Sequence, residues 1–246
     1  MFVTNQIPST RSALNNILVV VFTGERSCRF FNTPVTGGNV SFYNESPDTA
    51  VYPTPVIGMV GLVEDLKHVT TSTFKNAGDL IYLLGEDFEE MGGSEFSKVV
   101  YDIVKGEAPK IDLAVEKKLQ DTLLNLIRAG FIKSAHDISE GGILTAITEC
   151  CFIDKEKIVG AEVNIPVKSR EDFSLFSESQ SRVIVSIGSK DKEAVEKILN
   201  ENGLTYTFLG VTKESGLSVN GKYSFDLAKL AGLYYNSISG KMNVVI

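Results

Sequence analysis

Beyond residue 77, short apolar runs alternate with longer segments of helical period, and few folds satisfy that alternation. Gly78-Asp79 reads as a turn and Leu80 to Leu84 as a buried strand, too short for a core helix. Gly92-Gly93-Ser94 supplies a turn and an N-cap for a short helix. Asp112 caps the next helix, in which Val115, Leu119, Leu123, Leu126 and Ile127 recur at helical spacing, and Gly130 stands where a left-handed C-cap is wanted. Ile132 to Ala135 is a strand and Ile143 to Phe152 an apolar helix. Val159 to Ile165, Arg182 to Ile187 and Thr205 to Val211 read as strands, and residues 191 to 202 and 224 to 236 as helices. Strands and helices in alternation bury a sheet between helical layers, so the pattern predicts a three-layer α/β domain.

The first part has another texture. Ile17 to Phe22 reads as a strand. It is too short to span a bilayer, with neither a basic lead nor a small-residue cleavage site. From Thr33 to Leu66 the pattern is strand and turn: Gly37-Gly38, Phe42-Tyr43, Pro47-Asp48, then Pro53-Thr54-Pro55 opening the apolar stretch Val56 to Val63. Lys67 to Asn76 is polar and rich in Thr and Ser, which suits a domain joint, and 246 residues suit two domains. The expected division is residues 1–68, strand-rich and partial with 1–31 the least readable, and residues 69–246, α/β.

Charge and cysteine usage narrow the function. Twenty-four basic against 31 acidic residues give a net charge of −7, and no Lys/Arg block could neutralise a nucleic-acid backbone. Neither nucleic acid nor a membrane is an expected partner. Phosphate esters remain open, because backbone N–H groups and a bound Mg²⁺ supply local positive potential. Three cysteines, two of them adjacent (Cys150 and Cys151), point to a reducing, cytoplasmic setting, and two histidines, His68 and His136, argue against a zinc site. Neither a Gly-x-Ser-x-Gly elbow nor a phosphate-binding Gly-x-x-x-x-Gly-Lys-Ser/Thr run occurs, and nothing here could serve as a glutaminase.

Three stretches could carry chemistry. In Thr36-Gly37-Gly38-Asn39-Val40-Ser41 two glycines allow close backbone approach, the Asn39 amide oxygen could ligate a hard cation, and the Ser41 hydroxyl could meet a phosphate or polar substrate. The same residues also make a plain hairpin turn. In His136 to Gly142, between a strand and a helix, Asp137 and Glu140 could hold Mg²⁺ while Gly141-Gly142 admits a phosphate. Alternatively, Ser139 and Glu140 cap the helix and His136 is hydrogen-bonded within the fold. Glu178-Ser179-Gln180-Ser181-Arg182 reads as a polar loop, its arginine equally well a surface charge.

Taken in order, Thr33-Pro-Val-Thr-Gly-Gly-Asn-Val-Ser-Phe-Tyr-Asn-Glu45, Pro53-Thr-Pro-Val-Ile-Gly-Met-Val-Gly61, Gly78-Asp-Leu-Ile-Tyr-Leu-Leu-Gly85, His136-Asp-Ile-Ser-Glu-Gly-Gly142 and Phe176-Ser-Glu-Ser-Gln-Ser-Arg182 resemble the second half of the PurL-type large subunit of phosphoribosylformylglycinamidine (FGAM) synthase, from about Asn32 to Lys241. The family falls in the aminoimidazole ribonucleotide synthase-like superfamily. The resemblance implies the end of a strand-rich PurM N-terminal-like domain followed by a whole PurM C-terminal-like α/β domain. It implies an ATP-dependent carbon–nitrogen ligase of purine biosynthesis, in which ATP activates the formamide oxygen of formylglycinamide ribonucleotide and glutamine-derived ammonia displaces it, with Mg²⁺ spreading phosphoryl charge. By the same resemblance Gly38 contacts ATP, Asn39 ligates Mg²⁺ and Ser41 touches the ribonucleotide. Asp137, Glu140, Glu178, Ser179 and Gln180 then line a second, pseudo-symmetric cleft that holds a structural nucleotide in some members.

The family's Asp-Cys-Leu-Asn-Phe-Gly-Asn-Pro-like segment has no counterpart in residues 1–31. Its catalytic histidine and lysine lie in a first half that this chain lacks, so the resemblance places no catalytic group here. The chain is expected to be a fragment, inactive alone, that needs a complementing first half and a glutaminase subunit, and its exposed strand surface is expected to favour a homodimer. A reading of another class is a catalytically silent nucleotide-binding or scaffold module. Limited proteolysis should leave a resistant fragment from about Thr73 to the C-terminus; survival of the N-terminal piece instead would overturn the division.

Overall fold

The computed structural model describes residues 24–39, 56–154 and 157–242. The strand expected over 17–22, Ser41, the turn at Pro47-Asp48 and Pro53-Thr54-Pro55 lie outside them. Residues 24–30 are helical (α1), with Arg29 paired to Glu25 one turn earlier. Residues 33–39 and 56–64 carry no regular structure, and no strand occurs before residue 80 among the described residues.

The strand expected over Val56 to Val63 is therefore not formed: Val56 is 93% and Val60 101% exposed, and Ile57, Met59 and Leu62 are exposed beside them. A strand is stable only with a hydrogen-bonding neighbour and a covered face, and this run, apolar at nearly every position, would need cover on both.

From residue 80 the α/β layers form as expected. Seven strands, β1 (Leu80–Leu84), β2 (Ile132–Asp137), β3 (Gly160–Val163), β4 (Val183–Ile187), β5 (Tyr206–Lys213), β6 (Leu217–Val219) and β7 (Tyr223–Phe225), make one sheet in the order β2-β4-β1-β5-β3-β6-β7. All neighbours are antiparallel except β3 and β6. The helices are α2 (Glu95–Tyr101), α3 (Leu113–Arg128), α4 (Gly142–Phe152), α5 (Glu171–Phe176), α6 (Lys192–Glu201), α7 (Leu227–Tyr235) and α8 (Ser237–Met242).

The period-2 geometry of β1 divides the core. Ile81 and Leu83 point toward Ile143, Ile147 and Leu175 of α4 and α5, joined by Leu227 of α7. Tyr82 and Leu84 point the other way, toward Leu119 and Leu126 of α3 and Val195 and Leu199 of α6. Both faces of the central strand are thus dry, which explains why its five residues are apolar without alternation. The polar segment Lys67 to Asn76 is tied to this core: Phe74 is fully buried in the α4 layer, its N–H donates to Cys150 O (2.9 Å), and the Ala135 N–H donates to Thr71 O (3.2 Å).

Two differences from the sequence reading have local causes. Residues 224 and 225, expected to open a helix, belong instead to β7, which pairs with β6 as a hairpin. Asn220 and Gly221 both take positive φ in its turn (56° and 61°), the conformation an Asn-Gly pair favours, and α7 starts only after Asp226, whose carboxylate accepts the N–H groups of Ala228 and Lys229. The short helix α5 was not anticipated; six residues give too little periodicity to read.

Phe74→Ala should cost roughly 3–5 kcal/mol, measured by chemical denaturation, because it empties a fully buried aromatic site. A loss below about 1 kcal/mol would show that residues 69–76 are not part of this core.

Candidate functional site

The register brings three connections to one end of the sheet. Leu84 and Asp137 both lie opposite Val183, so the segment leaving β1 (85–94), the turn leaving β2 (138–141) and the loop entering β4 (177–182) converge there. Gly85, at φ 94°, makes the approach possible: a Cβ on it would lie 2.0 Å from Ser181 O. Gly142 likewise seats the start of α4 on the chain's own backbone, where a Cβ would lie 2.6 Å from the Phe176 carbonyl carbon. That close approach serves packing, and the reading of Gly141-Gly142 as room for a phosphate is not needed to explain it.

Arg182 lies at the centre of this junction. Its side chain is fully buried, so the surface-charge reading is wrong. The Nε donates to Ser179 O (2.9 Å) and Nη2 to Ser177 O (2.7 Å), while Nη1 lies 3.3 Å from Asp87 Oδ1. Burial pulls the guanidinium pKa down, opposed by the charges of Asp87, Glu90 and Glu178. Asp87 Oδ1 also accepts the Ser177 hydroxyl (2.7 Å) and the Glu89 N–H (2.9 Å). A sequence signal for this group existed in the acidic run Glu86, Asp87, Glu89 and Glu90, placed directly after a buried strand.

The residues assigned to the second cleft divide into two groups. Ser179 is fully buried, and its Oγ accepts the N–H groups of Phe88 (3.2 Å) and Glu90 (3.4 Å). Glu178 is half-buried, and its Oε1 accepts two backbone N–H groups, from Glu95 at the start of α2 (2.8 Å) and from Gly141 at the start of α4 (2.8 Å). A carboxylate there meets the partial positive charge of both helix starts. This overturns the expectation that Ser139 and Glu140 cap α4: the N-cap position is Gly141, and the acceptor comes from a distant loop. Gln180, Asp137 and Glu140 remain exposed. The Gln180 amide donates to Glu178 O (3.2 Å), and the Ser139 hydroxyl donates to Asp137 Oδ2 (2.6 Å).

His136 is hydrogen-bonded within the fold, as one of the two alternatives expected. Its Nδ1 lies 2.7 Å from Asp137 O and its Nε2 3.1 Å from Glu149 Oε2 on α4. The Glu149 contact raises its pKa, aided by the Asp137 carbonyl and opposed by burial. Among the described residues no group of three or more His, Cys, Asp or Glu side chains could enclose a metal. The cysteines read as packing: Cys150 and Cys151 are buried free thiols, and burial pushes Cys151 up to about 12.

Gly38 and Asn39 lie exposed on the segment 33–39, beside an open hollow of about 480 Å³ lined by residues 35–39. Ser41 lies outside the described residues.

A family described as AIR synthase related protein, C-terminal domain, matches residues 76–222, the span of the seven-stranded sheet except its last three residues. The chain belongs to that family. It is 44% identical over 209 residues to the phosphoribosylformylglycinamidine synthase subunit PurL of Caldanaerobacter subterraneus subsp. tengcongensis, and equally to that of Thermoanaerobacter sp. strain X514. Each match covers 84% of this chain but 28% of the relative, so the chain spans little more than a quarter of the length of these AIR synthase related proteins. Its fold is similar to solved structures of T. maritima PurL. The complex with FGAR superposes at TM-score 0.55 with 20% identity over 68% of this chain and 30% of that one, and the complex with ATP at 0.52 with 20% identity over 68% and 28%. No helix of the described residues is long and apolar enough to cross a membrane.

The raised pKa of His136 sets a pH dependence. Its contribution to stability is complete below the unfolded value of about 6.5 and is lost as pH rises through the higher folded value. The stability gap between the wild type and His136→Gln, followed by thermal denaturation, should therefore shrink as pH rises above about 6.5. A gap constant above that pH would show that the contact to Glu149 is not ionic.

Proposed function

We propose that this chain is the C-terminal part of an ATP-dependent FGAM synthase subunit, with a partial strand-rich unit over residues 1–68 and an α/β unit over 69–246. The observation that carries this reading is the 44% identity over 209 residues to subunits of that name. On this reading Gly38 lets its backbone approach ATP, Asn39 ligates Mg²⁺ and Ser41 touches the ribonucleotide. ATP and Mg²⁺ are the cofactors, and Mg²⁺ when bound offsets phosphoryl charge. The exposure of Gly38 and Asn39 supports a ligand role.

The second cleft is then assigned to the exposed Asp137, Glu140 and Gln180, with Glu178 and Ser179 as its frame. The partners are a complementing subunit and a glutaminase subunit as the ammonia source. The scaffold reading draws support from one observation: the Glu178 Oε1 is already engaged by two backbone N–H groups.

The test combines this chain with the first part of a close relative and assays ATP-dependent amidine formation. Asn39→Ala should lose Mg²⁺-dependent turnover by about a hundredfold while changing stability by no more than about 1 kcal/mol, and excess Mg²⁺ should restore part of it. Gly38→Val should weaken ATP use with no rescue by Mg²⁺, and Ser41→Ala should raise KM for the ribonucleotide. Wild-type kinetics in all three variants would reduce the Gly37-Gly38 segment to a plain turn.

A further inference from the structure

Glu178 joins the starts of two helices that share no other polar link among the contacts described above, and its placement depends on a loop with little secondary structure. That loop, 177–182, contains Ser181 at φ 58°, a left-handed conformation that a serine adopts only when its surroundings impose it. Two carbonyls of the loop, Ser177 O and Ser179 O, flank Glu178 on either side, and both accept from the Arg182 guanidinium. The Glu178 N–H donates to Glu90 O (3.0 Å), and the Ile138 N–H donates to Arg182 O (3.1 Å), which ties the same arginine to the turn leaving β2.

The geometry points to Arg182 as a positioning residue: it holds residues 177–181 in the one conformation that lays the Glu178 carboxylate across the starts of α2 and α4, and so orders the turn 138–141 that borders the second cleft. This deepens the proposed function and rests on it only where nucleotide binding is concerned. Three features support the assignment. The side chain has no solvent exposure, so no water competes for its N–H groups. Its donors fork onto two carbonyls two residues apart, a spacing that the single ammonium of lysine cannot reproduce. Asp87, which forms an ion pair with its third nitrogen at 3.3 Å, also accepts the Ser177 hydroxyl, so charge and loop conformation are set together.

The experiment is hydrogen exchange at single amides of the full 246-residue chain, with ATP titrated onto the same variants. In Arg182→Lys the Gly141 and Glu95 amides, whose acceptor is Glu178, should lose protection by about tenfold while the β1 amides of Ile81 and Leu83 keep theirs. Glu178→Ala should give the same loss, and the double variant no more than either single one, because Arg182 acts through Glu178. Should Arg182→Lys lower protection everywhere, Asp87→Asn replaces it. That variant keeps the acceptor but removes the charge, and it should affect the same two amides by about threefold. Unchanged protection at Gly141 and Glu95 overturns the proposal, as does a loss shared equally by β1 in both variants, or additive losses in the double variant. If ATP binds the wild type, Arg182→Lys should weaken it about as much as Glu178→Ala does. If ATP fails to bind the wild type, the second-cleft assignment falls, and the amides alone decide the role of Arg182.

Discussion

Dry burial of β1 on both faces is the constraint from which the rest of the α/β unit follows. Five apolar residues with no polar break can be accommodated only by a strand that has neighbours on both edges and helices above and below. β4 and β5 supply the edges, α4 and α5 one cover, and α3 and α6 the other. Because Leu84 ends opposite Val183, the chain leaving β1 must emerge beside the chain entering β4. The position of the candidate site is therefore a consequence of how the central strand is buried.

That convergence has an electrostatic cost, and the structure offsets it locally. The segment leaving β1 carries Glu86, Asp87, Glu89 and Glu90, and the loop entering β4 adds Glu178. Bringing five carboxylates together raises their mutual repulsion, while burying an arginine among them is unfavourable unless its N–H groups are used. Arg182 meets both requirements in large part: its ion pair with Asp87 neutralises some of the charge, and its Nε and Nη2 donate to Ser179 O and Ser177 O, while Nη1 has no hydrogen-bond partner among the described residues. Glu89 is handled separately. The hydroxyls of Ser169 and Ser174, at 2.5 and 2.7 Å, bond its carboxylate and hold its pKa below the usual range. Glu178 is stabilised by two backbone N–H groups at helix starts. Glu178, which the resemblance placed in a ligand cleft, thus turns out to be a partner of the backbone.

The legibility of the chain follows the range of the forces involved. Helices α3, α4 and α6 and strands β1, β2, β4 and β5 were readable because period, caps and strand length are local properties. The hairpin of β6 and β7 was readable in principle from Asn220-Gly221, yet the apolar residues after it suggested a helix, and only pairing across the turn decided otherwise. The Val56 to Val63 run has strand composition, but composition cannot supply the neighbour that a strand requires.

The sequence by itself determined the layered α/β class, the ends of its longer helices and, through five ordered motifs, the kinship with AIR synthase related proteins. These are set by local stereochemistry and by residue order. Tertiary structure alone decided that Arg182 is buried, that Glu178 accepts backbone N–H groups at the starts of two helices and that neither the Ser139 nor the Glu140 side chain caps α4. Those outcomes depend on which segments meet at the end of a sheet, and residues 83 positions apart, such as Glu95 and Glu178, leave no trace of their contact in spacing or composition.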